Sequence, residues 1–232
     1  MPVAREPRSR RDRPAKPALS RQWIVDVTID IMRREGLRKA TMRRVAQELD
    51  TGPASLYVYV SNTAELHAAV IDRLLGDVAV AAGGHWQDRL ERLVTDYRDL
   101  LWKYPGLARS ALAIRPSGRN FLVLFDRIMG LLVEGGVEPG QAGLGADLLL
   151  LTTTASAAEH AAPEDGDSDA GTDHLTKQNA IADAVRSVNA QDAPLIARHA
   201  DALLAGTPDQ RWRWYLRAQI AGIAATARDA GQ

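Results

Sequence analysis

Apolar side chains recur at intervals of three and four along most of this chain, the spacing that lines one face of an α-helix. Ile24, Val27, Ile31 and Met32 make the first such stripe, and Gly36 closes it. A short helix is predicted from about Met42 to Leu49, and a shorter one from Pro53 to near Val60. Asn62 opens a helix expected to reach about Ala82, with Leu66, Val70 and Leu74 on one face. From His85 onward the periodic segments fall near 86–104, 106–114, 117–134, 139–162, 174–190 and 208–230. Tyr-Pro-Gly, Arg-Pro-Ser-Gly, Glu-Gly-Gly and an acidic stretch separate them. There is no alternating run of β-branched residues long enough for a strand. The predicted fold is therefore all-α, with a small N-terminal helical unit followed by a larger one.

Composition narrows the classes. The 232 residues include no cysteine, which removes disulfides, zinc ribbons and thiol nucleophiles, and suits the reducing cytoplasm expected for the chain. The N-terminus carries charge without the apolar run of a secretory signal. The most apolar stretch, Leu144 to Ala158, contains Asp147 and three threonines and falls short of the roughly 20 residues that cross a bilayer. Net charge is zero but unevenly placed. Residues 1–62 hold 13 Lys/Arg against 7 Asp/Glu, and the remainder holds 16 against 22. A basic N-terminal third on an acidic body is the charge pattern of a protein that meets a polyanion at one end.

The segment TMRRVAQELDTGPASLYVYVSNTAEL, positions 41–66, carries the chemistry. Thr41 is suited to cap a helix whose inward residues are Val45, Ala46 and Leu49. After a turn at Asp50-Thr51, Gly52 and Pro53 restart the chain as a helix, since proline at the first helical position gives up no intrahelical bond. Leu56 and Val60 anchor this second helix to the first, making a helix-turn-helix. Arg43 and Arg44 stand in a first turn, where the helix dipole disfavours cations. A DNA phosphate would reverse that penalty. The outer face offers Ala54, Ser55, Tyr57, Val58 and Tyr59, small residues for close approach and phenols for phosphate oxygens.

Over about residues 18–77 the sequence resembles the DNA-binding domain of the tetracycline-repressor (TetR) family, most visibly in Leu56-Tyr57-Val58-Tyr59-Val60 followed by Asn62 and Glu65-Leu66. The resemblance implies that Thr41 and Tyr57 hold phosphates and Arg43 reaches base edges. It also puts Pro53, Ala54 and Ser55 in the major groove. Arg44 and Tyr59 are further candidates for contacts to DNA. Asn62 with Glu65 is expected to form a capping box. Asp50 stands where the family has a turn glycine, Gly52 where serine is common, Thr63 where lysine is frequent and Tyr59 where histidine is frequent. Further charge is available from a basic arm, residues 1–17, read as disordered.

The implied organisation is the arm, a DNA-binding domain over 18–77 and a helical effector-binding and dimerisation domain over 78–232. That larger region resembles the family only in size, helix count and position. Tyr97, Trp102, Phe121 and Phe125, with Met129, are candidate pocket lining for a small-molecule effector. Leu148 to Leu151 is apolar on every side and is expected to be buried all round. Trp212, Leu216, Ile220, Ile223 and Ala227 form one stripe of the last helix, with Ala218, Ala221, Gly222 and Ala225 beside it. Helices near 139–162 and 208–230 are the expected homodimer interface. The expected partners are thus operator DNA, an effector and a second copy, with no cofactor, metal or catalytic residue. Two other readings compete. An enzyme is one, but Gly140, Gly143 and Gly145 follow no strand and have the wrong spacing for a nucleotide loop. A non-specific DNA binder is the other, but it predicts a basic body. The acidic loop 163–173 lacks the ordered spacing of a calcium loop.

Overall fold

The computed structural model describes residues 18–114, 116–159 and 170–226. The basic arm, His160 and most of the acidic loop lie outside these residues. Eleven α-helices occur among the described residues: α1 Arg21–Glu35, α2 Met42–Glu48, α3 Pro53–Leu56, α4 Thr63–Leu75, α5 Trp86–Lys103, α6 Pro105–Ile114, α7 Arg119–Glu134, α8 Pro139–Glu159, α9 Ala170–Ser187, α10 Pro194–Leu204 and α11 Pro208–Ala225. A 3-10 turn, Leu37–Lys39, leads into α2.

Local chemistry fixes most ends. Ser20 caps α1 by accepting the Trp23 N–H, and Gly36, at φ 85°, ends it. Positive φ is inexpensive only for a residue without a Cβ. α4 is shorter than the expected reach to about Ala82, because Gly76 caps it after Leu75. The apolar run beyond, Val78 and Val80, packs on the core as extended chain instead of continuing the helix. α10 adds an element to the predicted set: it is a short proline-initiated helix whose apolar residues Leu195, Ile196 and Leu203 are exposed.

α8 is the central helix of the larger bundle, touching α5, α6, α7 and α11. Its inner face buries Ala142, Gly145, Ala146, Leu149, Leu150, Thr153, Thr154, Ala157 and Ala158. Gly145 is a packing glycine, not part of a nucleotide loop. A Cβ there would approach Ile223 Cγ2 to 2.6 Å, so the glycine lets α8 and α11 cross closely. The outer face of α8 contradicts the expectation of all-round burial, since Leu144, Leu148 and Leu151 are exposed. Leu216, Ile220 and Ile223 of α11 face inward as expected, while Ala218, Ala221, Gly222 and Ala225 are exposed beside Trp214 and Tyr215. Ala227 lies outside the described residues.

Candidate nucleic-acid interface

α2 is capped as its sequence requires, with the Thr41 hydroxyl accepting the Arg44 N–H at 3.2 Å. Its C-terminus closes in a double turn. Thr51 N–H donates to Ala46 O at 2.9 Å, and Asp50 N–H donates to Gln47 O at 3.0 Å. Asp50 sits at φ 49°, a left-handed geometry that Asp tolerates better than most residues. The turn therefore forms without glycine and delivers Gly52 and Pro53 as the start of α3. Leu56 and Val60 are buried against Val45, Ala46 and Leu49, which fixes α3 across α2.

This packing sorts the predicted residues. Pro53, Ala54, Ser55 and Tyr57 lie on the exposed side, Tyr57 with 53% of its surface accessible. Thr41 and Arg43 are exposed at the start of α2, and Arg43 forms no ion pair among the described residues. Tyr59 departs from the outer face: it is half-buried and packed on the core, on the turn from Leu56 to Val60, whose N–H still bonds the Leu56 carbonyl at 3.0 Å. Lys39, overlooked in the sequence, is also exposed in the 3-10 turn two residues before Thr41.

Arg44 requires the clearest correction. Its placement in a first turn needs no phosphate, since its guanidinium bonds Glu35 and Glu48 at 2.7 Å each. Glu48 also receives Arg34 at 2.7 Å. Those hydrogen bonds hold the Glu35 and Glu48 carboxyls below the usual carboxylate range. Arg44 thus ties α2 to the end of α1. The cap of α4 differs in one atom from the expected box. Asn62 Oδ1 accepts the Glu65 N–H at 2.8 Å, but Glu65 reaches back to the Ser61 N–H at 2.7 Å and not to Asn62.

Between the small and the larger unit, the His67 ring of α4 meets Ser110 Oγ of α6 at 2.9 Å. Burial lowers the imidazole below its ordinary value of 6.5. A base with a depressed folded pKa adds stability above its unfolded pKa and loses it as pH falls below that value. The thermal midpoint should therefore drop more steeply from pH 7.5 to 5.5 in the parent chain than in His67→Asn. Parallel slopes would clear this imidazole of the effect.

The pocket candidates lie on α5 and α7, which pack against each other. Tyr97 is buried, and its phenol bonds Thr154 at 2.7 Å; burial raises it to about 12. The Arg98 guanidinium lies 4.3 Å from the ring centre of Trp102 and 4.8 Å from that of Trp212. Phe121, Phe125 and Met129 lie half-buried along α7. An open cleft of about 300 Å³ lies between α8 and α11, lined by Thr152, Ser156, Trp212, Trp214, Tyr215, Ala218 and Gln219. Among the described residues no group of acidic or histidine side chains could hold a metal, and no helix is long and apolar enough to cross a membrane.

Residues 81–227 match the sequence model of the tetracyclin repressor-like C-terminal domain. That match overturns the reading that this region is alike only in size and helix count. A transcription regulator of Streptomyces coelicor is 46% identical, with 94% of this chain and 100% of that one covered and a TM-score of 0.76. The Streptomyces coelicolor protein ActR, solved in complex with actinorhodin, is 33% identical over 93% of this chain and 100% of its own, with a TM-score of 0.75. The HTH-type transcriptional repressor DrrR1 of Streptomyces coeruleorubidus is 36% identical over 131 residues, 53% of this chain and 48% of that protein. The chain spans about half the length of the curated relatives it matches.

Proposed function

Because the chain belongs to the tetracycline-repressor family of transcriptional regulators, we propose that it is a cytoplasmic repressor that binds operator DNA as a homodimer and is released by a small molecule. The observation that carries this reading is the exposed face of α3. Pro53, Ala54 and Ser55 offer a surface low enough to enter a major groove, and Tyr57 stands at its edge. Among the described residues Arg43 has no carboxylate partner, which leaves it able to bond a guanine edge bidentately. Lys39, Thr41 and Tyr57 are assigned to phosphates. Arg44 is assigned to the architecture of the domain, where it orients α2, and Tyr59 to its core.

The proposed organisation is the arm over 1–17, the DNA-binding domain over 18–77 and the effector and dimerisation domain over 78–232. Two reading helices about 34–36 Å apart are needed to meet successive major grooves on one side of the duplex. The exposed apolar faces of α8 and α11 support a symmetric pairing that supplies them. An effector that favours a different separation lowers operator affinity by its differential binding to the two states, commonly about 1–3 kcal/mol. ActR with its bound actinorhodin supports the effector half of the reading. Tyr97 and Trp102 of α5 with Phe121 and Phe125 of α7 are the proposed lining of the effector site.

Selection of bound duplexes from a random pool tests the proposal. A near-palindromic motif is expected. Arg43→Ala should cost about 1–3 kcal/mol and relax the preference at one guanine of each half-site. Tyr57→Phe should weaken all duplexes alike. A pool that yields no motif, or two variants that bind as the parent does, would remove the assignment.

A further inference from the structure

The joint between α4 and α7 is built as an exchange of helix caps. Gly118, the residue that caps α7, has no side chain to accept an N–H from the first turn. The acceptor comes from another helix: Asp72 Oδ1 of α4 takes the Phe121 N–H at 3.0 Å. A carboxylate at that end of a helix is also favoured by the macrodipole. The reciprocal bond runs the other way. Asn120 Nδ2 donates at 2.8 Å to the Asp72 carbonyl, one of the last four of α4, which helix geometry leaves short of partners. The two ends lie so close that a Cβ on Gly118 would overlap the Asp72 carboxylate, and one on Gly76 would sit 3.3 Å from Asn120 Nδ2. One turn beyond, Arg127 Nη1 of α7 donates to Val78 O at 2.6 Å, holding the segment that leaves α4.

On its other sides α4 is fastened to the small unit. Arg73, next to Asp72, bonds Asp26 of α1 at 3.3 Å, and Glu65 near the opposite end receives Arg21 at 3.4 Å. The start of α4 is continuous with α3 through Val60, Ser61 and the Asn62 cap. A displacement of the first turn of α7 is therefore imposed on α4, and with it on α1 and the reading helix. Phe121 lies in that same first turn, and Phe125 one turn further.

We infer that Asp72 is a positioning residue that sets the angle of the DNA-reading unit by capping α7, so that the first turn of α7 is a point from which the larger domain steers operator binding. The inference rests on the assignment of α3 to a DNA groove. An unclamped α4 lets each reading helix sample many separations, and only a fraction of them fits two grooves. Binding to a scrambled duplex, which demands no fixed separation, is unaffected.

The test uses the full chain, an operator recovered from the random pool and a scrambled duplex of equal length. Asp72→Ala is expected to lose about tenfold on the operator, within the range of interdomain couplings, and nothing on the scrambled duplex. Asp72→Asn keeps an acceptor oxygen and recovers most of the loss. Gly118→Ala drives the same contact apart from the α7 side. It should reproduce the selective loss, and it decides the matter if Asp72→Ala does not fold. Operator binding unchanged in both Asp72→Ala and Gly118→Ala, or an equal loss on both duplexes, would overturn the proposal. A parent chain that selects no operator would instead sink the DNA-binding reading. The joint is then judged without DNA: Asp72→Ala should speed hydrogen exchange in both 63–75 and 119–123, and unchanged exchange overturns the clamp.

Discussion

Leu148→Glu should turn the proposed dimer into monomers in sedimentation velocity and weaken operator binding by about 100-fold or more, the scale on which two linked sites exceed one. Leu144, Leu148 and Leu151 stand at i, i+4 and i+7 on the outward side of α8, with 64%, 43% and 50% of their surfaces accessible. Trp214, Ala218, Ala221 and Ala225 make the matching row on α11, with small residues where close approach is needed. The two rows belong to one surface, because α8 and α11 are locked side by side. Gln141 Nε2 donates to Ile223 O, and the Thr152 hydroxyl donates to Gln219 Oε1 at 3.2 Å. A patch of this kind on a soluble chain marks a protein contact. Twofold symmetry would place two carboxylates in it, each without a partner and costing several kcal/mol. The position is outside the core of the chain, so helical content should be unchanged. A variant that stays dimeric at micromolar concentration would show that this face is not the interface.

Leu56→Ala should cost about 2–5 kcal/mol of stability and abolish operator binding. α3 is one turn long, far below the length at which a helix persists unaided. What holds it is the burial of Leu56, fully enclosed against Val45 and Leu49, with Val60 behind it. Truncating that side chain leaves a cavity at the point where the reading helix meets its support. Val58, with 80% of its surface exposed, is the control, and Val58→Ala should shift stability by no more than about 0.5 kcal/mol. Urea titration followed by circular dichroism separates the two. Equal midpoints for Leu56→Ala and Val58→Ala would mean that α3 is not held by its core contact.

The sequence identified the helix-turn-helix because its signals are short-range and each has one physical outcome. Thr41, Gly52-Pro53 and Asn62 cap or start helices wherever they fall before an apolar run, and structure and sequence agree there. The same holds for the turn at Asp50. Grouping the phenols as one outward set placed Tyr59 outside. It follows Leu56 by three positions, about 60° from it on a helical wheel, and the ring packs on the core. The end of α4 was misread for a related reason. Val78 and Val80 extend the apolar pattern past Gly76, the local stop signal that the periodicity overrides when read alone.

Sequence alone determined that this chain is helical, that its N-terminal part holds a helix-turn-helix of the tetracycline-repressor kind, and which residues begin its helices. Those properties rest on interactions between residues three or four apart, which the order of side chains specifies directly. Tertiary structure decided which groups remain available. Arg44 is tied to the preceding helix because Glu35 is folded to within 2.7 Å of it. Arg43, one residue earlier, is exposed. Asp72 acquired a role because Phe121, 49 positions away, begins a helix beside it. Leu148 and Leu149 are equally apolar in the sequence, yet one is exposed and the other enclosed. Hydrophobicity drives burial without naming the surface that buries, so only the packed helices distinguish a core residue from one that waits for a second copy.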